Sequence, residues 1–336
     1  MIRVFIALLP VLFLAFAPKQ ASAEWRSEIF AFADQREGAA FLGTADAYTG
    51  QMSALDRATR LKTDRDVSTE DYLRFAAGAA LNWTAEEREA LQADIAGLIP
   101  ALTDLHVPAP RRILLIKTSG AEEGHAAYTR GDAIMIPTIM ADGDKDDLKW
   151  ILAHEIFHIV SRQNPALREP LYAAIDFVKV DPFPLPPDIA AHLVTNPDAQ
   201  GNDHFVRVTV DDQEVCGAPI LTFRTDRYDP QQSGDFLGYI KESFLISQRI
   251  AERKDGVPVD LRVTASNRVW GLERRVGENT VYTIHPEEIL AENFALLLTK
   301  RKQPRSPEIL DKISAVFAHA ADPSGTPVPS PPVPCP

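Results

Sequence analysis

Cysteine is nearly absent. The 336-residue chain has two, Cys216 and Cys335, so at most one internal disulfide can form. In an oxidising compartment the two can pair; the alternative is two unrelated thiols. Basic residues are also scarce, 35 Lys and Arg against 47 Asp and Glu. An acidic surface repels phosphate backbones, which argues against nucleic acid as a partner. Beyond residue 23 there is no apolar run long enough to cross a bilayer. No internal repeat is visible.

The chain is 45% hydrophobic and 24% charged, ordinary for a folded globular protein, with length for one large domain or two modest ones. Its first 23 residues, "MIRVFIALLPVLFLAFAPKQASA", have a basic start at Arg3, an apolar run, and then Ala21-Ser22-Ala23. This is the layout of a secretory signal, with cleavage expected before Glu24 and a periplasmic or secreted destination. As a membrane anchor, the run from Val4 to Ala17 is short and is interrupted by Pro10. No cysteine follows the small residues, so a lipoprotein is not expected. Removal takes away Arg3 and Lys19 and no acid, and the net charge moves from −12 to −14.

Residues 24–110 read as a mostly helical region. In "TAEEREALQADIAGLIPALTDLH", Thr84 and Glu87 form a capping-box signature ahead of apolar residues at helical spacing. "VPAPRR" breaks the pattern and marks the junction to residues 111–321. There "RRILLIKTS" (111–119) predicts a buried strand, and "HAAYTRGDAIMIPTIM" (125–140) two extended runs about a turn at Arg130-Gly131-Asp132. "HFVRVTVDDQEV" (204–215) alternates like a half-buried strand with a turn near Asp211-Asp212, and "APILTFRT" is its expected partner. "KDDLKWILAHEIFHIVSRQ", "HPEEILAENFALLLTKRK" and "SPEILDKISAVFAHA" predict helices. Residues 322–336, rich in proline, predict an extended tail, and pairing of Cys335 with Cys216 would tether it.

The chemistry concentrates in the first of those helices. His154 and His158 lie four apart, on one face and one turn apart. Two imidazoles at that spacing can hold one zinc ion, and Glu155 can take a proton from a metal-bound water. Trp150, Ile151, Leu152, Ile156, Phe157, Ile159 and Val160 surround them with apolar groups. Burying a carboxylate and two imidazoles without a partner costs several kcal/mol, and a cation would resolve that cost. A catalytic zinc needs a third protein ligand. A metzincin would carry glycine at 161 and histidine at 164; Ser161 and Asn164 exclude that class. In "IHPEEILAENFALLL", Glu288 and Glu292 share a narrow stripe with Ala295 and Thr299 on an otherwise apolar helix. Glu288 can bind the metal, and Glu292 can hydrogen-bond a ligand histidine.

His154-Glu155-x-x-His158 followed by Glu288-x-x-x-Glu292 resembles the gluzincin zinc metallopeptidases, in exported bacterial form. The resemblance rests on two short motifs, and 130 positions from His158 to Glu288 is long for that group. An inserted strand pair would explain the gap, as would a different ligand: His192, His204, Glu287 or Glu292. The resemblance implies an α+β, zincin-like fold, with a small sheet packed on the metal helix and a mostly helical remainder. It implies Zn2+ held by His154, His158 and Glu288, with Glu155 as general base. It also implies that the strand in "AAYTRGDAIMIP" offers a free edge to an extended peptide or protein substrate. An oxyanion donor is expected from Tyr282 or His285, the latter alternatively a helix cap, with Tyr128 and Tyr239 also open. The expected activity is peptide-bond hydrolysis. The alternatives are a zinc amidase acting on a cell-wall or other non-protein amide, and a non-catalytic periplasmic binding or assembly protein. Residues 24–110 are an integral lobe or a removable pro-segment.

Overall fold

The computed structural model describes residues 24–141, 145–199, 201–231, 236–325 and 335, so the proposed signal segment and most of the proline-rich tail lie outside the described residues. Among the described residues no helix is long and apolar enough to cross a membrane. The fold is α+β, built on two sheets.

The first sheet contains β1 (Phe30–Phe32), β2 (Ala80–Leu81), β3 (Ile113–Thr118), β4 (Tyr128–Arg130) and β5 (Ala133–Pro137). β3 lies at its centre, parallel to β1 and β5, while β2 pairs antiparallel with its C-terminal end and β4 forms the antiparallel edge. The β4–β5 hairpin turns at Gly131, whose φ of 56° suits a residue without Cβ. Alternate side chains of β3 point to opposite faces. Ile113 and Leu115 join one core and Leu114 and Ile116 another.

Helices α1 (Gln35–Leu42), α2 (Ala47–Gln51), α3 (Ala54–Arg60) and α4 (Thr69–Gly78) supply residues to the second of these cores. The other face of the sheet packs on α5 (Ala85–Asp104), which starts at the Thr84/Glu87 capping box, and on α7 (Lys145–Gln163), which follows the short α6 (Thr138–Ala141). Residues 24–110 thus lend two strands as well as helices, and share one core with the rest of the chain. A pro-segment cut away whole would remove part of the sheet.

After α8 (Pro165–Ala174) the chain forms β6 (Val178–Lys179), α9 (Pro187–His192) and most of a second, antiparallel sheet. Its strands are β7 (His204–Val210), β8 (Gln213–Phe223), β9 (Ile240–Ser247), β12 (Arg262–Ala265) and β13 (Val269–Trp270), with β6 on β7 and a small β10–β11 hairpin (Arg253–Lys254, Val257–Pro258) outside it. Asp211 and Asp212, both at positive φ, make the tight β7–β8 turn. This sheet fills the long interval between the two motif helices. It is larger than the strand pair expected there, and it corrects the expectation of a mostly helical remainder: alternation in β7 was visible, but the irregular segments around β9 and β12 carried no clean period. One face meets the main core through Val206, Val208 and Phe244; the other carries Cys216, which is bonded to Cys335.

The chain then passes α10 (Glu273–Val276) to α11 (Pro286–Thr299) and α12 (Pro307–Ala321). α11 is buried on nearly every side and packs along α7, with Phe157 and Phe294 ring centroids 5.4 Å apart. That packing sets the two charged motifs face to face.

Candidate metal centre

His154, Glu155 and His158 come from the middle of α7, and Glu287, Glu288 and Glu292 from α11. Nε2 of His154 lies 3.1 Å and Nε2 of His158 3.5 Å from Oε2 of Glu288. For metal–ligand bonds of 2.0–2.1 Å in a tetrahedron, ligand atoms stand about 3.3–3.4 Å apart. The donor set of two imidazoles and a carboxylate and the two spacings fit a zinc-sized ion, and all three ligand atoms lie within 4.8 Å of one another.

The outer nitrogens are fixed. Nδ1 of His154 is 3.2 Å from Oε1 of Glu292, which also accepts from Trp150 Nε1 at 3.1 Å, while Oε2 accepts from Thr280 at 3.1 Å. Nδ1 of His158 is 3.3 Å from Oε1 of Glu287, whose Oε2 accepts from Ser161 at 2.9 Å and from Tyr172. Each ring therefore has a carboxylate behind it that selects its tautomer and aims Nε2 at Glu288. Among the described residues, His158 Nε2 and Glu155 Oε2 are buried without a hydrogen-bond partner. The Glu155 oxygen left so costs about 1–3 kcal/mol, which a cation or a polar substrate would offset, while His158 Nε2 has only the 3.5 Å approach of Glu288.

Charge follows the same geometry. Burial opposes ionisation of Glu288, but His158 and His154 beside it hold its carboxyl well below the usual carboxylate range. Burial also opposes a charged His154, yet the contacts with Glu288 and Glu292 outweigh it and raise the ring to about 9. Glu155 goes the other way: burial, and then the charge of Asp198, push it up to about 8 against the two histidines.

The other sequence candidates fall as follows. His192 is half-buried beside Asp226, and His204 sits between Asp203 and Glu169; among the described residues neither belongs to a ligand cluster. Tyr128 donates to Glu122, and Tyr239 pairs with Asp229. His285 is the N-cap of α11: Nδ1 accepts from the Glu287 N–H at 3.1 Å, and Nε2 donates to the Gly201 carbonyl at 2.8 Å. Both nitrogens are engaged, so capping replaces the oxyanion role. Tyr282 remains, its ring 6.4 Å from that of His154 and 44% exposed. It lines a cavity of about 560 Å³ with Leu221, Leu237, Ile284, Arg224 and Lys241.

The edge of β4 is not free. The Thr129 N–H donates to Asp198 Oδ1 at 2.6 Å, and Arg162 donates to the Gly131 carbonyl at 3.0 Å. Side chains thus cap positions that an extended peptide was expected to use. Asp198 also approaches Glu155 and His158, the three offering ligand atoms within 4.8 Å. Asp198 and Asn196 escaped the sequence reading, and Glu287 was named there only as an alternative ligand, not as the acid behind His158. Glu287 had a signal, its place beside Glu288 and one residue off the stripe. The segment "TNPDA" has only turn character, and nothing in it marks contact with the centre.

Comparison with family models, with curated proteins and with solved structures gave no match.

Proposed function

We propose that the chain is an exported, zinc-dependent hydrolase with a zincin-like fold, and within that class a gluzincin-like metallopeptidase. The supporting observation is the convergence of two imidazole nitrogens and one carboxylate oxygen on a single buried point, each imidazole backed by its own acid. Export rests on the composition of residues 1–23.

His154, His158 and Glu288 would hold the ion. When bound, zinc supplies Lewis acidity, brings the pKa of a water to about 7 and favours the ionised form of a neighbouring carboxylate. Glu155 stands next to His154 in the chain with one oxygen unpaired. It takes the proton of the attacking water and returns it to the leaving amine. Tyr282 donates its hydroxyl to the oxyanion that develops on the scissile carbonyl. The cavity beside Tyr282 receives the flanking part of the substrate.

The test is a panel of quenched peptides, unfolded protein and peptidoglycan, with and without chelation. Peptide cleavage that chelator abolishes and zinc restores supports the peptidase. Release of cell-wall amides alone moves the assignment to an amidase; no hydrolysis of any member removes the enzymatic reading.

A further inference from the structure

Glu288 has two oxygens, and only one faces the histidines. The other, Oε1, accepts a hydrogen bond from Asn196 Nδ2 at 2.8 Å. The amide of Asn196 is itself oriented, because its Oδ1 accepts the Asp198 N–H at 2.9 Å. The preceding residue is clamped from both sides. The Thr195 N–H donates to Asp56 Oδ2 at 3.0 Å, and the Thr195 carbonyl accepts from Arg60 Nη2 at 2.9 Å. Asp56 and Arg60 are a buried ion pair one turn apart on α3. Further along, Arg162 holds the Pro197 and Asp198 carbonyls, each at 3.3 Å. Residues 195–198 are therefore fixed at both ends, with the Asn196 amide aimed at a buried carboxylate from a third part of the chain.

We propose that Asn196 is a positioning residue, which ties one oxygen of Glu288 and presents the other alone to the metal position, in a place set by the Asp56–Arg60 pair. A carboxylate without that bond is free to rotate, and it can meet a cation with both oxygens. The bond to Asn196 favours a single-oxygen ligand and keeps coordination low, as an open catalytic site requires. Partners of this kind typically contribute 10–100-fold in metal affinity. The inference rests on the metal-hydrolase reading above. It adds that the N-terminal region takes part in building the centre.

The test uses full mature protein, zinc competition against a chromophoric chelator, and visible spectra of the cobalt-substituted form. Wild type, His154→Ala, Asn196→Ala and Asn196→Ser are compared, with the melting temperature of each metal-free protein as the measure of folding. The expected result is about one zinc per wild-type chain, lost in His154→Ala. Both Asn196 variants should bind about 10–100-fold more weakly with an altered cobalt spectrum, at near wild-type metal-free melting temperature. Wild-type affinity and an unchanged spectrum in both Asn196 variants would overturn the role of Asn196 and leave the metal centre standing. Wild-type protein that takes up no zinc would overturn both.

Discussion

Nδ1 of His158 and Oε1 of Glu287 meet 3.3 Å apart, across the interface of two helices whose motifs lie more than a hundred residues apart in the chain. Glu287 is in turn held by Ser161 and Tyr172, and it mirrors Glu292 behind His154. Removing either negative charge while keeping shape should loosen the ring it supports. Glu287→Gln and Glu292→Gln should each weaken zinc binding about 10–100-fold. Chelator competition measures this; wild-type affinity in both would show that the rings are held by packing alone.

Glu155 is assigned to proton transfer and not to metal binding. Glu155→Gln should retain stoichiometric zinc and lose at least about 100-fold in turnover, the usual scale of general acid–base catalysis. Turnover at the wild-type rate in zinc-loaded Glu155→Gln would remove the assignment.

Metal uptake should depend on pH with a definite sign. In the metal-free chain His154 is raised to about 9 by its acids, and His158 is raised too, by Glu288, Asp198 and Glu287 against its burial. His154 is then protonated at neutral pH and His158 is shifted toward its charged form, whereas a metal requires neutral imidazole. Binding near pH 7 should release at least about one proton, and affinity should rise from about pH 6 to about pH 9. Calorimetry in buffers of different protonation enthalpy reads the proton count. Zero release and a flat pH profile would contradict the charge arrangement.

The Cys216–Cys335 bridge fastens the C-terminus to the outer face of the second sheet. Reduction should lower stability by about 2–4 kcal/mol, the typical contribution of a disulfide, seen as a lower melting temperature under reductant. Cys335→Ser should melt at that lower temperature and be insensitive to reductant. Two titratable thiols in the native wild type would show that the bridge does not form.

The Tyr282 ring lies 6.4 Å from that of His154 and is partly open to solvent. Tyr282→Phe keeps the ring and loses the donor, so kcat should fall about 10–1,000-fold with KM little changed. A rise in KM alone would make it a substrate-binding residue.

Much of this organisation was legible because it is local. The α7 helix runs over the stretch predicted from its apolar surround, and Thr84 caps α5 as its pairing with Glu87 indicated. Glu288 and Glu292 were separable from the apolar circumference of α11 because charged residues on a buried helix stand out. What was not legible depends on long-range placement. His285 carries the chemistry of a donor and of a cap equally, and only the Gly201 carbonyl beside it decides. Asn196 and Asp198 belong to an irregular segment whose position is set by Asp56, Arg60 and Arg162 from distant elements. The edge of β4 looked open because nothing in its own sequence indicates that Asp198 would cover it.

The most direct measurement is the metal content of purified mature protein, by elemental analysis after exhaustive dialysis, for wild type and Glu288→Ala side by side. The account predicts about one zinc per wild-type chain and a marked loss in Glu288→Ala with the fold retained. A wild-type protein that is folded, metal-free and unchanged in stability by added zinc would contradict it.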